Sequence, residues 1–234
     1  MERFQAFTAT HAAVLAAIVL LTALAVALRR RLPRAAPPLP AERAVGLAYL
    51  AGWGLTYLWL LQAPLHDPAK TLPLQLCHLT AAAAALLLVT GAPVLRPLVY
   101  FWGLALSTQA LITPALSEGP ALYPFWFFWA THGLIAGVAI YDLAARGYRP
   151  DWRGYRQACL GAAAYVAAVL PLDIAFGWNY GFVGPSKPEV RTIVDFLGPW
   201  PDRLVPIVLI VALAMAFALL PWDLARRLAR KKGG

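Results

Sequence analysis

Residues Leu204 to Trp222 read LVPIVLIVALAMAFALLPW, a run with no charged side chain. About 20 such residues are what an α-helix needs to cross the hydrocarbon core of a bilayer. A helix on the surface of a soluble domain keeps one polar face, and this run has none. The rest of the chain is built the same way. Of its 234 residues, 61% are hydrophobic and 13% charged, a balance that indicates a polytopic membrane protein rather than a soluble domain. The formal net charge of +9 does not point to nucleic acid, because the basic residues sit in loops between apolar runs instead of sharing one face.

The same measure predicts seven membrane helices, over 10–28, 44–61, 74–90, 98–113, 122–143, 157–176 and 204–222. Backbone groups in lipid must be satisfied within the segment, and no period-two alternation suggests a barrel. The expectation is an all-α helix bundle forming a single integral membrane domain over 1–234. Pro-rich and Gly-rich stretches punctuate it, among them Arg34 to Pro40, Pro68 to Pro73, Pro114 to Pro120 and Gly198 to Pro201. The Ala81 to Ala85 run reads as plain helix.

Basic residues set the expected orientation. With the N-terminus outside, the clusters Arg29 to Arg34, Arg146 to Arg156 and Arg226 to Lys232, with Arg43 and Arg96, fall in the cytoplasm. Only Arg3, Lys70, Lys187, Arg191 and Arg203 fall outside, so every loop obeys the positive-inside rule. The C-terminus is then cytoplasmic. The first segment begins Met1-Glu2-Arg3 and is followed by the Arg29 to Arg31 cluster, which reads as a retained span rather than a cleaved leader. The longest outer loop, 177–201, mixes Trp178, Tyr180, Phe182, Phe196 and Trp200 with Lys187, Arg191 and Asp195. Aromatics in a long loop argue for a folded lid rather than a solvated linker.

Ionisable side chains inside a bilayer are costly and by default mark function. Cys77 lies near the outer end of the third predicted helix and His132 near the middle of the fifth. At 1.5 Å per residue they sit roughly 6 Å and roughly 12 Å below their helix ends, a mismatch that helix tilt can absorb. Thiol and imidazole are a nucleophile and a base for acyl transfer. On residue type alone, Cys77 reads equally as a buried structural thiol, and His132 as a hydrogen-bonding link between helices. His78 points about 100° away from Cys77 on the same helix and makes a weak partner for it. Gln109, Asp173, Asn179 and Tyr180 gather at the same outer level and are read as pocket-lining or oxyanion-donating groups. Cys159 falls near the opposite end of the sixth predicted helix, too far from Cys77 for a disulfide. His11, His66 and His78 show no ligand spacing with acidic partners, so no metal and no other cofactor is expected.

Several segments taken in order carry a resemblance. They are Leu72-Pro73-Leu74-Gln75-Leu76-Cys77, Tyr100-Phe101-Trp102-Gly103-Leu104, Gln109 to Pro114, Phe127-Phe128 with His132-Gly133, Asn179-Tyr180 with Lys187-Pro188, and Asp195 to Pro201. This set resembles the YwaF-type bacterial integral membrane family, whose eukaryotic relative is transmembrane protein 164. That relative is regarded as a phospholipid acyltransferase using a membrane-embedded Cys and His. The resemblance implies Cys77 as nucleophile and His132 as its base, and a more distant similarity extends to seven-helix lipid hydrolases of the androgen-induced type.

The function expected is transfer of acyl chains of phospholipids or lysophospholipids through a Cys–His thioester. Lys187 and Arg191 are read as contacts for the lipid phosphate. Membrane lipids are the expected partners, nucleic acid is not, and a bacterial cytoplasmic membrane is the expected location. Two rivals stand beside this reading. One is a lipid or small-solute transporter in which Gln109, His132 and Asp173 line a path; the other is an intramembrane lipid hydrolase.

Overall fold

The structure, a computed structural model, describes residues 3–34, 37–62, 66–185 and 193–232. Its regular elements are all helical among the described residues: α1 (Ala9–Arg29), α2 (Pro40–Leu60), α3 (Pro68–Thr71), α4 (Leu76–Thr90), α5 (Leu95–Tyr100), a π-helical stretch (Phe101–Ser107), α6 (Gln109–Ile112), α7 (Tyr123–Ala144), α8 (Trp152–Phe176) and α9 (Leu204–Lys232), with short 3₁₀ turns at Tyr180–Phe182 and Ile193–Leu197. The protein is an all-helical membrane protein. Four of these helices, α1, α7, α8 and α9, are long and apolar enough to cross a bilayer.

The other three expected spans are not confirmed by length and composition: α2 has the length, at 21 residues, but not the apolar composition, and the other two differ in backbone. The 15 residues of α4 rise only roughly 22 Å, short of a hydrocarbon core of about 30 Å. Leu72 to Gln75 stay outside the helix ahead of α4, with Leu72 and Gln75 in β backbone conformations and a turn at Pro73 and Leu74 between them. The predicted helix over 98–113 is broken into α5, the π-helical stretch and α6. Gly103 within it presses against α7, where an added Cβ would lie 3.1 Å from the Ile135 side chain.

Local chemistry sets the remaining ends. Pro40 opens α2 and the Glu42 carboxylate accepts the Leu39 N–H at 2.9 Å, the acidic first turn that a helix dipole favours. Asp151 caps α8 by accepting the Gly154 N–H at 2.7 Å. Gly91 closes α4 in the left-handed conformation, φ 70°, which a residue without Cβ adopts at no steric cost.

Small residues bring the helices together. An added Cβ on Gly46 would stand 2.5 Å from the Ala85 carbonyl, and those on Gly133 and Gly137 would meet Ile18 and Thr22 of α1. The alanine run of α4 is therefore a contact face: Ala81, Ala84 and Ala85 are wholly buried, the close approach typical of helices in lipid. At the Arg-rich end, Glu42 receives Arg29 at 3.0 Å, Arg146 at 3.4 Å and the Tyr141 hydroxyl. Asp142 takes both arms of Arg96 at 2.8 Å. These pairs join α1, α2, α5 and α7 at one end and leave the opposite end to the site.

Candidate functional site

The site begins where α4 begins. Cys77 is the second residue of that helix, and the backbone N–H groups of His78 and of Cys77 itself lie within reach of its sulfur. A helix amino end has N–H groups without intrahelical partners and a partial positive charge, so it favours an anion. The thiol is half-buried and free, as is Cys159.

Four contacts hold the chain entering α4 in place. The Tyr180 hydroxyl donates to the Pro68 carbonyl at 2.6 Å and accepts the Leu72 N–H at 3.1 Å. Tyr165 of α8 donates to the Leu74 carbonyl at 2.7 Å, and the Gln75 side-chain oxygen accepts the Gly181 N–H at 3.1 Å. A short non-helical segment satisfies few of its own backbone groups, so partners from elsewhere must satisfy the others. Here α8 and the turn after it do so, and they fix the position of Cys77.

His132 approaches from α7, which packs against α4. It is 7% exposed, its Nδ1 lies 2.9 Å from the Phe128 carbonyl, and its ring stacks on Phe128 with centroids 4.2 Å apart. A carbonyl can only accept, so Nδ1 carries the proton. In a neutral imidazole Nε2 is then an acceptor, and it has no hydrogen-bond partner among the described residues. This is the tautomer a general base needs.

His78, read from the sequence as a weak partner for Cys77, and tyrosines that the sequence reading passed over lie around these residues. His78 bonds through Nδ1 to the Tyr57 hydroxyl at 2.9 Å and lies close enough to His132 for charge on one ring to be felt at the other. Tyr49 bonds to Thr131, the neighbour of His132, at 3.1 Å. Tyr49, Tyr57 and Tyr165 all lie within electrostatic reach of Cys77. Tyr49, Trp53 and Tyr57 are spaced by four residues and share one face of α2. That aromatic stripe was the signal available in the sequence.

The other expected residues separate from this nest. Gln109 is exposed on α6, and its side chain has no hydrogen bond among the described residues. Asp173, Asn179 and Tyr180 brace the turn after α8: Asp173 Oδ1 accepts the Tyr180 N–H at 3.0 Å, and Asn179 Oδ1 accepts the Gly184 N–H at 3.0 Å. Tyr180 is fully buried, and its one proton is given to the Pro68 carbonyl. Burial pushes that phenol up to about 12, so it stays protonated and keeps both bonds at any physiological pH. Lys187 and Arg191 lie outside the described residues. Among those described, no cluster of three or more His, Cys, Asp or Glu groups could hold a metal.

Residues 6–220 match the TMEM164 family. The chain belongs to the TMEM164 family. It is also similar to an uncharacterized protein of Treponema pallidum (strain Nichols), 29% identical over 194 residues, which cover 82% of this chain and 79% of that one. No solved structure matches. The family match takes in α1 to α8 and most of α9, so the whole site lies within the matched region.

Proposed function

We propose that this protein is an integral membrane acyltransferase that moves phospholipid or lysophospholipid acyl chains by way of a thioester on Cys77, with His132 as base. The observation that carries the reading is the free Nε2 of His132, held as an acceptor on the helix packed against the one that begins at Cys77. A weak nucleophile needs such a base and a favourable charge environment. The amino end of α4 supplies the second.

The steps balance as follows. His132 Nε2 takes the thiol proton and the sulfur bonds to the ester carbonyl carbon. The ester C–O bond then breaks, the imidazolium returns its proton to the departing glycerol oxygen, and a lysophospholipid leaves Cys77 acylated. An acceptor hydroxyl gives its proton to Nε2 and attacks the thioester; the C–S bond breaks and the sulfur recovers the proton. The His78 N–H at the start of α4 is given to the Gln75 carbonyl at 3.0 Å, which leaves the Cys77 N–H as the donor for the tetrahedral oxyanion, a role worth about 3 kcal/mol per donor in characterised enzymes. His78 and Tyr57, hydrogen-bonded to each other, face the same space and set its polarity.

The charge distribution supports a bacterial cytoplasmic membrane with the N-terminus outside and the C-terminus in the cytoplasm. In that placement the site opens outward, and α2, α4 together with the chain leading into it from Pro68, and the α5–π–α6 unit complete the seven spans beside the four long helices. The docking of Tyr180 and Gly181 on Leu72 and Gln75 supports a lid role for the loop that they begin. Lys187 and Arg191 within it suit a lipid phosphate by their chemistry. The test is purified protein in vesicles holding a chain-labelled phospholipid and an unlabelled lysophospholipid. Label passes to the acceptor with the native chain and not with Cys77→Ala. Release of free fatty acid instead makes the protein a hydrolase, and label movement without bond cleavage makes it a transporter.

A further inference from the structure

At the Arg-rich end, the start of α8 and the end of α9 enclose a cavity of about 1050 Å³ whose lining carries five basic side chains against two acidic ones. Both acids are already engaged. Asp151 accepts the Gly154 N–H. Asp223 takes the Trp152 indole at 3.1 Å and Arg227 at 2.7 Å, with Arg226 at 3.7 Å. Arg153, Arg230 and Lys231 line the same cavity and have no ion pair among the described residues. Like charges converging on one hollow repel unless an anion sits between them.

The surroundings of the hollow are those of a lipid. Leu224 and Leu228 line it, one helical turn apart and 50% and 60% exposed. Trp152 is half-exposed at its mouth with its indole N–H fixed on Asp223, and a tryptophan so placed anchors at the membrane interface. A soluble polyanion would leave the two leucines in water. Basic hollows between the ends of membrane helices are where multiply charged headgroups bind.

We propose that this cavity is a binding site for a diphosphatidylglycerol-type lipid, its two phosphates between Arg153, Arg230 and Lys231 and its chains along Leu224 and Leu228. The surplus of three positive charges matches two phosphates better than the single phosphate of a phosphatidylglycerol. The site is independent of the Cys77 chemistry and of the orientation in the membrane.

The experiment is lipid titration of the full chain in a neutral detergent, followed by native mass spectrometry, with diphosphatidylglycerol, phosphatidylcholine and inorganic pyrophosphate as probes. Each basic residue near a lipid phosphate is worth roughly a fivefold factor in affinity. Arg153→Gln with Arg230→Gln should therefore weaken diphosphatidylglycerol about 25-fold, and the charge-keeping pair Arg153→Lys with Arg230→Lys should stay within threefold of native. Arg31→Gln with Arg43→Gln removes the same charge from exposed positions elsewhere at that end and should leave the affinity within twofold. The two leucines give pyrophosphate no contact, so it should compete poorly. Equal losses in the two Gln pairs, no preference over phosphatidylcholine, or competition by pyrophosphate at equal concentration overturns the proposal.

Discussion

Tyr180→Phe removes one oxygen and tests whether the start of α4 is held from outside. The ring is fully buried and phenylalanine fills the same space, so no cavity opens. What goes are two bonds, the one given to the Pro68 carbonyl at 2.6 Å and the one taken from the Leu72 N–H at 3.1 Å. A backbone group left buried without a partner costs about 1–3 kcal/mol. Pro68 and Leu72 are both only half-buried, so water can reach each of them, and the sum stays near about 1–3 kcal/mol for the pair. At about 1.4 kcal/mol per decade, amide exchange over Leu72 to Leu79 should speed up roughly fivefold to 150-fold. Exchange in the middle of α7 should hold at its native rate, since nothing there touches Tyr180. Acyl transfer should fall in kcat more than in KM, because the substitution loosens the nucleophile's position and not the lipid contacts. Hydrogen exchange read by mass spectrometry on the protein in nanodiscs is the assay. Unchanged exchange over Leu72 to Leu79 would refute the idea that Tyr180 fixes Cys77.

Three further outcomes follow from the same structure. His132→Ala should cost about 10²–10⁴ in rate, and Cys77→Ala combined with it should be no slower than Cys77→Ala alone, because the two groups act in one step; additive losses in the labelled-lipid assay count against a shared mechanism. Glu42→Ala takes the carboxylate from between Arg29, Arg146 and Tyr141, and breaking a buried pair in this way costs about 3–5 kcal/mol, so the folded yield and the thermal midpoint should both drop sharply. In a background without Cys77 and Cys159, an impermeant thiol reagent applied to whole cells should label Ala115→Cys and not Arg31→Cys, both exposed positions; the reverse pattern places the site on the cytoplasmic side.

Much of the bundle is legible in the sequence because hydrophobic length is a one-dimensional property. The helix predicted over 10–28 becomes Ala9–Arg29 and that over 122–143 becomes Tyr123–Ala144, within a residue at each end. Less legible is anything set by a neighbour. Leu98 to Thr113 is apolar enough to read as one helix, and only the close contact of Gly103 with Ile135 and the bonds of Ser107 and Thr108 back to the Trp102 and Leu104 carbonyls accompany its opening into a π-helical stretch. The same holds for Ala81 to Ala85. Composition cannot tell an indifferent alanine run from a contact face until Gly46 is seen opposite it.

The site divides along the same line. Cys77 and His132 announce themselves because a thiol and an imidazole are rare in such segments, and the roles proposed for them rest on atoms within one helix turn: the Cys77 N–H and the Phe128 carbonyl. Tyr180 and Asp173 look alike in sequence terms, polar residues near an outer helix end, yet their bonds turn inward to the backbone of 68–72 and to each other. A polar side chain near a membrane surface can serve the substrate or the fold, and the deciding quantity is whether its donors are already spent. Tyr180 has spent its proton on Pro68, whereas His132 keeps an acceptor free at Nε2. By that criterion the proposed chemistry contracts from a broad ring of outer polar residues to Cys77 at the start of α4 and His132 on α7, and the turn after α8 braces the chain that leads into α4.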